Sequence, residues 1–162
     1  MLVESSNDAA QALAENSNRL DYNTFIDSMN KKAKELGLIK TQFVEPIGLD
    51  PQNQSTVFEM AKITEYALKI PLLTDILKTP AITIYSIDEK FIHNLVSTNK
   101  LFGKIPILIG GKTGYTDEAG GCMVTISNIN NNYLITVILG SSQREDDTSR
   151  LIEWSQKAWI WQ

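Results

Sequence analysis

The amino-acid sequence predicts an α+β fold in which an antiparallel sheet lies between helical layers. Three observations point to it. Apolar residues recur at helical spacing over the first half of the chain, the pattern changes to that of β-strands from about residue 82, and the last part returns to helical spacing. Helices that precede the strands, rather than alternate with them, favour an α+β domain over a parallel sheet.

The first half of the chain predicts four helices. Asn7-Asp8 can cap an alanine-rich run that continues to Glu15. Apolar residues at helical spacing predict a second helix that ends before Gly37, and Ser55-Thr56 can cap a third. A short fourth helix is predicted over residues 72–77.

The second half predicts five strands and a closing helix. Both alternating sets of residues in the last strand are largely apolar, which predicts cover on both faces of that strand. Leu151, Trp154, Ala158 and Trp161 share one face of the C-terminal segment, so we expect this face to supply one cover. The predicted strands are residues 83–87, 91–95, 107–113, 122–128 and 133–139.

Length, composition and charge narrow the class of protein. The 162 residues, of which 43% are hydrophobic, predict a single domain over 1–162 with a sizeable core. The net charge of −4 and the scattered Lys and Arg residues argue against a nucleic-acid partner. A single cysteine, Cys122, excludes an internal disulfide and a multi-cysteine zinc site. No metal or organic cofactor is expected.

Two short motifs stand out as candidate chemistry. Ser5-Ser6-Asn7 opens the first predicted helix, and Lys112-Thr113-Gly114 ends a predicted strand. Each has a plain structural interpretation, helix capping for the first and a strand end with a turn for the second. In penicillin-recognising serine enzymes, however, Ser-x-x-Lys, Ser-x-Asn and Lys-Thr-Gly meet in one cleft. Two of these three motifs are present, and in that order.

Residues around both motifs extend the match along nearly the whole chain. The sequence resembles the D-alanyl-D-alanine carboxypeptidase family, peptidase family S11. The resemblance is carried by residues 3–10, 13–15, 25, 29–30, 33–37, 41–43, 48–50, 55–56, 98–101, 111–116, 119–120 and 137–140.

This resemblance implies a β-lactamase/DD-peptidase-like domain and a serine-type carboxypeptidase. Such an enzyme removes the terminal D-Ala of peptidoglycan stem peptides through an acyl-enzyme, which divides one difficult step into two easier ones. The implied partners are stem peptides that end in D-Ala-D-Ala, and β-lactams. The implied location is outside the cytoplasm, in the periplasm or at the outer face of the cytoplasmic membrane.

The resemblance also implies roles for three catalytic residues. Ser5 would relay a proton to the leaving amine. Asn7 would orient the acyl chain through its side-chain amide. Lys112 would place a positive charge beside Ser5 and near the terminal carboxylate of the substrate.

Three further residues are implied to bind the substrate. The Thr113 hydroxyl would bind the terminal carboxylate. Gly114 has no side chain, so the substrate backbone can approach the strand closely. The backbone N–H of Tyr115 would form half of an oxyanion hole, with the N–H of the nucleophile as the other half.

The chain departs from the family pattern at its N-terminus. In the family, Ser-x-x-Lys precedes Ser-x-Asn, but only four residues precede Ser5. We therefore expect a truncated domain that lacks the N-terminal strands and the nucleophile helix and is inactive alone. Apolar surface left uncovered would favour self-association. Ser28-Met29-Asn30-Lys31 and Ser97-Thr98-Asn99-Lys100 fit the bare motif, but the first lies on a helix after Ser5 and the second belongs to the stretch before Lys-Thr-Gly.

Other candidate groups are given structural interpretations. We expect His93 on a strand surface and Cys122 as a small buried side chain. Glu45 follows the helical region in a turn, where a water-exposed carboxylate is expected rather than a deacylating base. Arg144 and Arg150 are expected as solvated charges at a helix start, with reach to a substrate carboxylate as the alternative.

Two other functions stay open from the sequence. A β-lactamase-like hydrolase is the nearest enzymatic alternative, although no convincing Glu-x-x-Leu-Asn motif is present. A domain that binds D-Ala-terminated peptides, or scaffolds cell-wall enzymes without catalysis, would use the same cleft without a nucleophile.

Overall fold

The computed structural model describes residues 1–17 and 21–161. Helices fill the first half, strands follow, and one helix closes the chain, as the sequence predicted. The elements are α1 (Asn7–Glu15), α2 (Tyr22–Glu35), α3 (Val57–Leu68), α4 (Pro71–Leu77), β1 (Ala81–Tyr85), β2 (Ile92–Val96), β3 (Leu108–Thr116), β4 (Gly120–Ile129), β5 (Asn132–Ser141) and α5 (Arg144–Ala158).

Side-chain caps set the starts of the first three helices. The Ser6 hydroxyl accepts from Ala9 N–H at 3.2 Å, so Ser6 is the cap of α1 and the helix begins at Asn7. The predicted cap at Asn7-Asp8 is therefore wrong by one position. The predicted cap of α3 is confirmed, because the Thr56 hydroxyl accepts from Glu59 N–H at 3.2 Å. Each cap satisfies a backbone N–H that the helix itself leaves without a partner.

The strands form two separate antiparallel sheets rather than one. β1 and β2 pair as a hairpin, and β3, β4 and β5 form the larger sheet in that order. In the larger sheet Lys112 lies opposite Val124, and Thr113 lies opposite Met123. Because side chains alternate along a strand, Lys112 and Thr113 point to opposite faces of this sheet.

Helices cover both faces of the larger sheet, which confirms the predicted sheet between helical layers. On one face Met123 joins Ile152 of α5, Leu101 and Leu108 in a buried apolar cluster. On the other face α3 packs against β5 and β4. No helix in the described part of the chain is long and apolar enough to cross a membrane.

The face of α5 that contacts the sheet differs from the predicted one. Leu151 and Trp154 are 36% and 58% exposed, whereas Thr148, Ile152 and Ser155 are buried. Two of the three buried side chains are small and polar, so the helix axis can approach the sheet closely. Sequence hydrophobicity pointed to the large apolar side chains, but close packing selected the small ones.

Candidate active site

The turn before α1 and strand β3 bring the two motifs of the sequence together. The Lys112 ammonium donates a hydrogen bond to the Ser5 hydroxyl at 2.5 Å and another to its neighbour's backbone carbonyl, that of Thr113. The Lys112 side chain points to the face of the sheet on which α3 packs. The Lys-Thr-Gly strand and the Ser-x-Asn turn therefore form one cluster.

Ser5 adopts a backbone conformation that L-residues rarely use. Its φ is +66°, in the left-handed region, which costs about 1 kcal/mol or more for a residue with a side chain. The next residue, Ser6, is fixed as the cap of α1, and the Ser5 N–H donates to the Met1 carbonyl at 2.9 Å. Strain of this kind concentrates at functional positions, where the surrounding structure holds it in place.

Asn7 is the first residue of α1 and is exposed. The structure places it two residues after Ser5 on the same helix start. Its predicted role in orienting an acyl chain stays a prediction.

Two positive charges lie close together at β3. Burial lowers the pKa of Lys112, and the nearby positive charge of Arg144 lowers it further. The Arg144 side chain is only 17% exposed, donates to the Gly114 carbonyl at 2.6 Å and pairs with Glu145 at 3.1 Å. Arg144 is thus part of the site, and the solvated interpretation is wrong for it. The periodicity of α5 carried no signal for this contact, which depends on a chain reversal after β5.

Thr113 is buried beneath the exposed end of the strand. It is 6% exposed, and its hydroxyl shares a hydrogen bond with the Thr98 hydroxyl at 2.5 Å. Either oxygen can be the donor, so a carboxylate that approached Thr113 would compete with or extend this pair. Its carboxylate-binding role stays a prediction.

The strand opens to solvent directly after Thr113. A methyl group at Gly114 would meet nothing closer than Cys122 Cβ at 3.8 Å, so the absent side chain leaves open space above the strand. Tyr115 is 67% exposed, and its hydroxyl donates to Asp117 at 3.1 Å. This hydrogen bond and the negative charge of Asp117 raise the pKa of Tyr115.

A cavity of about 670 Å³ adjoins this open end of β3. It lies between α2, α3, the turn after residue 43 and the last residues of the sheet. Its volume is in the range of small-molecule sites. Cys122 lies half-buried on its wall, not fully buried as predicted. The apolar lining side chains include Met29, Phe43, Pro46, Ile47, Met60 and Leu139.

Glu45 holds the turn that forms one wall of this cavity. Its carboxylate accepts from the N–H groups of Gly48, Leu49 and Asp50 at 2.7, 2.8 and 3.1 Å, and from that of Ile47. Partial burial raises the pKa of Glu45, but these N–H donors lower it by more. The Glu45 carboxylate, which was expected to be exposed to water, is therefore partly buried and stabilises the turn. It accepts hydrogen bonds from the turn's own N–H groups, so it is not placed to activate a water for deacylation.

The two rejected serine motifs lie in local structure. The Ser28 hydroxyl donates to the Thr24 carbonyl at 2.8 Å within α2, and the Ser97 hydroxyl accepts from Asn99 N–H at 3.2 Å. His93 is exposed on β2, as expected. Among residues 1–17 and 21–161, no three His, Cys, Asp or Glu side chains are grouped so that they could hold a metal ion.

Comparison with known protein families gives a decisive match. A family profile described as D-alanyl-D-alanine carboxypeptidase, Peptidase S11, matches residues 1–143, which is most of the chain. The chain belongs to this family. Ser5-Ser6-Asn7 and Lys112-Thr113-Gly114 both lie inside the matched region.

Relatives within the family carry related but different names. The chain is 34% identical to a D-alanyl-D-alanine endopeptidase of Pseudomonas aeruginosa, a match that covers 94% of this chain and 50% of the relative. It is also 34% identical to D-alanyl-D-alanine carboxypeptidase DacF of Bacillus subtilis, over 94% of this chain and 40% of the relative. The chain therefore spans about half the length of these family members or less.

Solved structures of a DD-transpeptidase and of a penicillin-binding protein have the same fold. The Streptomyces K15 DD-transpeptidase superposes with a TM-score of 0.87 at 29% identity, over 94% of this chain and 63% of the other. Penicillin-binding protein D2 from Listeria monocytogenes, solved in a cefotaxime-bound form, superposes with a TM-score of 0.79 at 34% identity, over 94% and 62%. The β-lactamase/DD-peptidase-like fold expected from the sequence is confirmed.

Proposed function

We propose that this chain forms the proton-relay and carboxylate-binding half of a serine-type D-Ala-D-Ala carboxypeptidase. The observation that carries the proposal is the hydrogen bond from Lys112 to Ser5, which joins Lys-Thr-Gly to Ser-x-Asn. Membership of the family supports the reaction class. The proposed substrate is a peptidoglycan stem peptide that ends in D-Ala-D-Ala.

The residues of the site divide the chemistry between charge and proton transfer. The Lys112 ammonium donates to the Ser5 oxygen. This contact stabilises the Ser5 oxygen when Ser5 passes its hydroxyl proton to the departing D-Ala amine, and Ser5 is reprotonated afterwards. The charges of Lys112 and Arg144 attract the terminal carboxylate of the substrate to the end of β3. The open space above Gly114 lets the peptide backbone lie along this strand.

The nucleophile is proposed to come from a Ser-x-x-Lys helix that is not among these 162 residues. The reaction needs a serine whose hydroxyl is activated by an adjacent base. The hydroxyls of Ser28 and Ser97 serve local structure instead. We therefore expect these residues alone to bind β-lactams and stem peptides weakly and to form no acyl-enzyme.

Labelling by a fluorescent penicillin tests this proposal. A form of the protein extended at its N-terminus to include Ser-x-x-Lys should be labelled, and the label should survive denaturation. The 162-residue chain should stay unlabelled. Covalent labelling of the short chain would overturn the assignment of the nucleophile. Absence of labelling in both forms would favour the alternative of a non-catalytic domain that binds D-Ala-terminated peptides.

The same proposal includes a location and a mode of assembly. Because peptidoglycan lies outside the cytoplasmic membrane, we place the enzyme there, and fractionation of cells with an antibody to the protein tests it. Large apolar side chains such as Phe58, Phe91, Trp154 and Trp159 are 58–68% exposed, which supports self-association of this chain. Sedimentation that shows a monomer at all concentrations would contradict self-association.

A further inference from the structure

Arg144 begins α5, but its side chain reaches a strand on the far side of the larger sheet. The strand order is β3-β4-β5, and Arg144 comes directly after the end of β5. Its Nη1 nevertheless donates to the Gly114 carbonyl of β3 at 2.6 Å. Neighbouring strands lie about 4.8 Å apart, so Gly114 is roughly 10 Å from β5. The Arg144 side chain therefore has to cross β4.

Gly121 of β4 leaves the space through which this side chain passes. Gly121 lies opposite Tyr115 of β3 on one side and opposite Ser141 of β5 on the other. A Cβ at Gly121 would lie 3.1 Å from Arg144 Cδ and 2.5 Å from the Ser141 carbonyl oxygen. A side chain at position 121 would therefore push the arginine away from the sheet. With glycine there, Arg144 is directed over β4 toward the end of β3.

Glu145 holds the guanidinium of Arg144 at its other edge. Arg144 Nε donates to Glu145 Oε1 at 3.1 Å, and the two side chains are only 17% and 29% exposed. Adjacent residues on a helix point in different directions, so helical spacing alone does not bring these two groups together. Burial raises the pKa of Glu145, but the hydrogen bond from Arg144 and the charges of Arg144 and Lys100 lower it by more. Glu145 is therefore ionised at neutral pH.

Arg144 is held at two points and keeps further donors. A guanidinium has five N–H groups. One of them, on Nε, donates to Glu145, and one on Nη1 donates to Gly114. Arg144 also lines an open cavity of about 510 Å³ together with Lys100 and Tyr115. The N–H groups that do not contact Glu145 or Gly114 can donate to an anion there.

We infer that Glu145 is a positioning residue, which holds the Arg144 guanidinium across Gly121 at the end of the Lys-Thr-Gly strand. This role rests on the proposed function, in which Arg144 and Lys112 receive the terminal carboxylate of the substrate. Glu145 also has an opposite effect, because its negative charge repels that carboxylate. Positioning is the larger of the two effects. Without an acceptor for Nε, the long Arg144 side chain regains its rotamer freedom and its charge leaves the site.

Two variants of Glu145 separate positioning from charge. Glu145→Met and Glu145→Gln remove the same negative charge, but only Gln keeps an oxygen that can accept from Arg144 Nε. The probes are Nα-acetyl-D-Ala-D-Ala and the same peptide with a C-terminal carboxamide, and NMR titration of the ¹⁵N-labelled chain gives both affinities. We expect Glu145→Met to lose the preference for the carboxylate by at least about three-fold. Glu145→Gln should keep that preference or increase it.

A control variant removes a charge from the same turn of α5 without touching Arg144. Asp146 lies in the first turn of α5 beside Glu145 and is exposed. Asp146→Asn should therefore leave the carboxylate preference unchanged or increase it slightly, because only a distant negative charge is lost. A decrease as large as that in Glu145→Met would overturn the inference, since it would show that the effect belongs to the turn and not to Glu145.

The pKa of Lys112 gives a second measurement that needs no ligand. Burial is the main cause of its lowering, and the positive charge of Arg144 adds to it. Release of Arg144 in Glu145→Met should therefore raise the pKa of Lys112. Loss of the Glu145 charge alone acts in the opposite direction, so Glu145→Gln should not raise it. In an Arg144→Gln background, Glu145→Met should produce no further rise. NMR of the lysine side chain against pH measures each value.

The role of Glu145 and the proposed function fail in different ways. A parent protein that binds the carboxylate and carboxamide peptides equally would overturn the proposed function, and the Lys112 pKa would then decide the placement of Arg144 alone. In a parent that prefers the carboxylate, equal preference in Glu145→Met and Glu145→Gln would overturn the role of Glu145. An equal pKa of Lys112 in the two variants would do the same. Thermal unfolding shows that both variants are folded.

Discussion

The Lys112 ammonium lies 2.5 Å from the Ser5 hydroxyl, although 107 positions separate the two residues in the chain. This contact joins the strained turn before α1 to the central sheet. It places a partly buried positive charge where a serine oxygen can lose or gain a proton. Removing either partner should therefore change binding and catalysis more than folding.

Replacement of Lys112 by Met should abolish carboxylate-dependent binding without loss of stability. Met keeps the apolar stem but removes a charge that burial disfavours, so we expect the free energy of unfolding to change by less than about 1 kcal/mol. Urea unfolding measures the change in stability, and titration with a peptide that ends in D-Ala-D-Ala measures the change in binding. Lys104→Met, at an exposed position, should alter neither. A large loss of stability in Lys112→Met would mean that the Ser5 contact is mainly structural.

Burial is the main cause of the lowered pKa of Lys112, and Arg144 should contribute to it measurably. Burial and the positive charge of Arg144 both lower this pKa from 10.5, so Arg144→Gln should raise it, as measured by NMR of the lysine side chain against pH. Arg150→Gln should have no comparable effect. A lysine with a lowered folded pKa binds fewer protons in the folded state, so stability rises with pH between that pKa and about 10.5. This rise should be smaller in Arg144→Gln, and an unchanged pKa would contradict the prediction.

Two glycines of β3 should respond differently to replacement by Ala. A Cβ at Gly111 would lie 2.3 Å from the Val124 carbonyl oxygen of the paired strand, so Gly111→Ala should lose about 3 kcal/mol of stability. At Gly114 the nearest atom is 3.8 Å away, so Gly114→Ala should fold normally but weaken peptide binding. Chemical unfolding and peptide titration separate these outcomes. Equal stability of the two variants would be inconsistent with this packing.

Replacement of the buried Thr148 hydroxyl on α5 should increase the stability of the protein. Thr148 is fully buried, and its hydroxyl has no hydrogen-bond partner among the described residues. Thr148→Val keeps the shape and removes the desolvated polar group, so it should stabilise the protein by about 1 kcal/mol. The control is Thr64→Val, since the Thr64 hydroxyl donates to the Met60 carbonyl at 2.8 Å and its loss should be neutral or destabilising. A destabilised Thr148→Val would indicate that a buried water bonds to this hydroxyl.

Acid should destabilise the protein through Glu59. Its carboxylate is 5% exposed and accepts from Lys40 N–H at 3.0 Å and from the Thr41 hydroxyl at 2.6 Å. Burial raises the pKa of Glu59, but these donors lower it by more, to below 4.5. The stabilisation is therefore present above pH 4.5 and is lost as the pH falls through the lower, folded pKa. At neutral pH, Glu59→Gln should unfold at a lower temperature than the parent protein, and it should lose less stability on acidification. The control is Glu153→Gln, which removes one partner of an exposed ion pair and should behave like the parent protein.

Local sequence patterns predicted most of the helices and strands, because caps, turns and hydrophobic spacing involve residues that are close together in the chain. The strand that became β3 was predicted from residues 107–113, and the structure extends it to Thr116 through pairing with β4. The predicted helix cap at Thr56 and the helix end before Gly37 match the structure. What local patterns missed depends on distant partners. Examples are the buried face of α5 and the contact of Arg144 with Gly114.

The sequence by itself determined the family, the order of helices and strands, and the two motifs, because these are written in residue types and their spacing. Only the tertiary structure decided that Lys112 reaches Ser5, that the positive charge of Arg144 lies near Lys112, and that Glu45 accepts hydrogen bonds from its own turn. The physical reason is that a charge or a hydroxyl acquires its partners and its hydration from the whole fold. Spacing along the chain can predict which residues are available, whereas packing determines what each of them can bind.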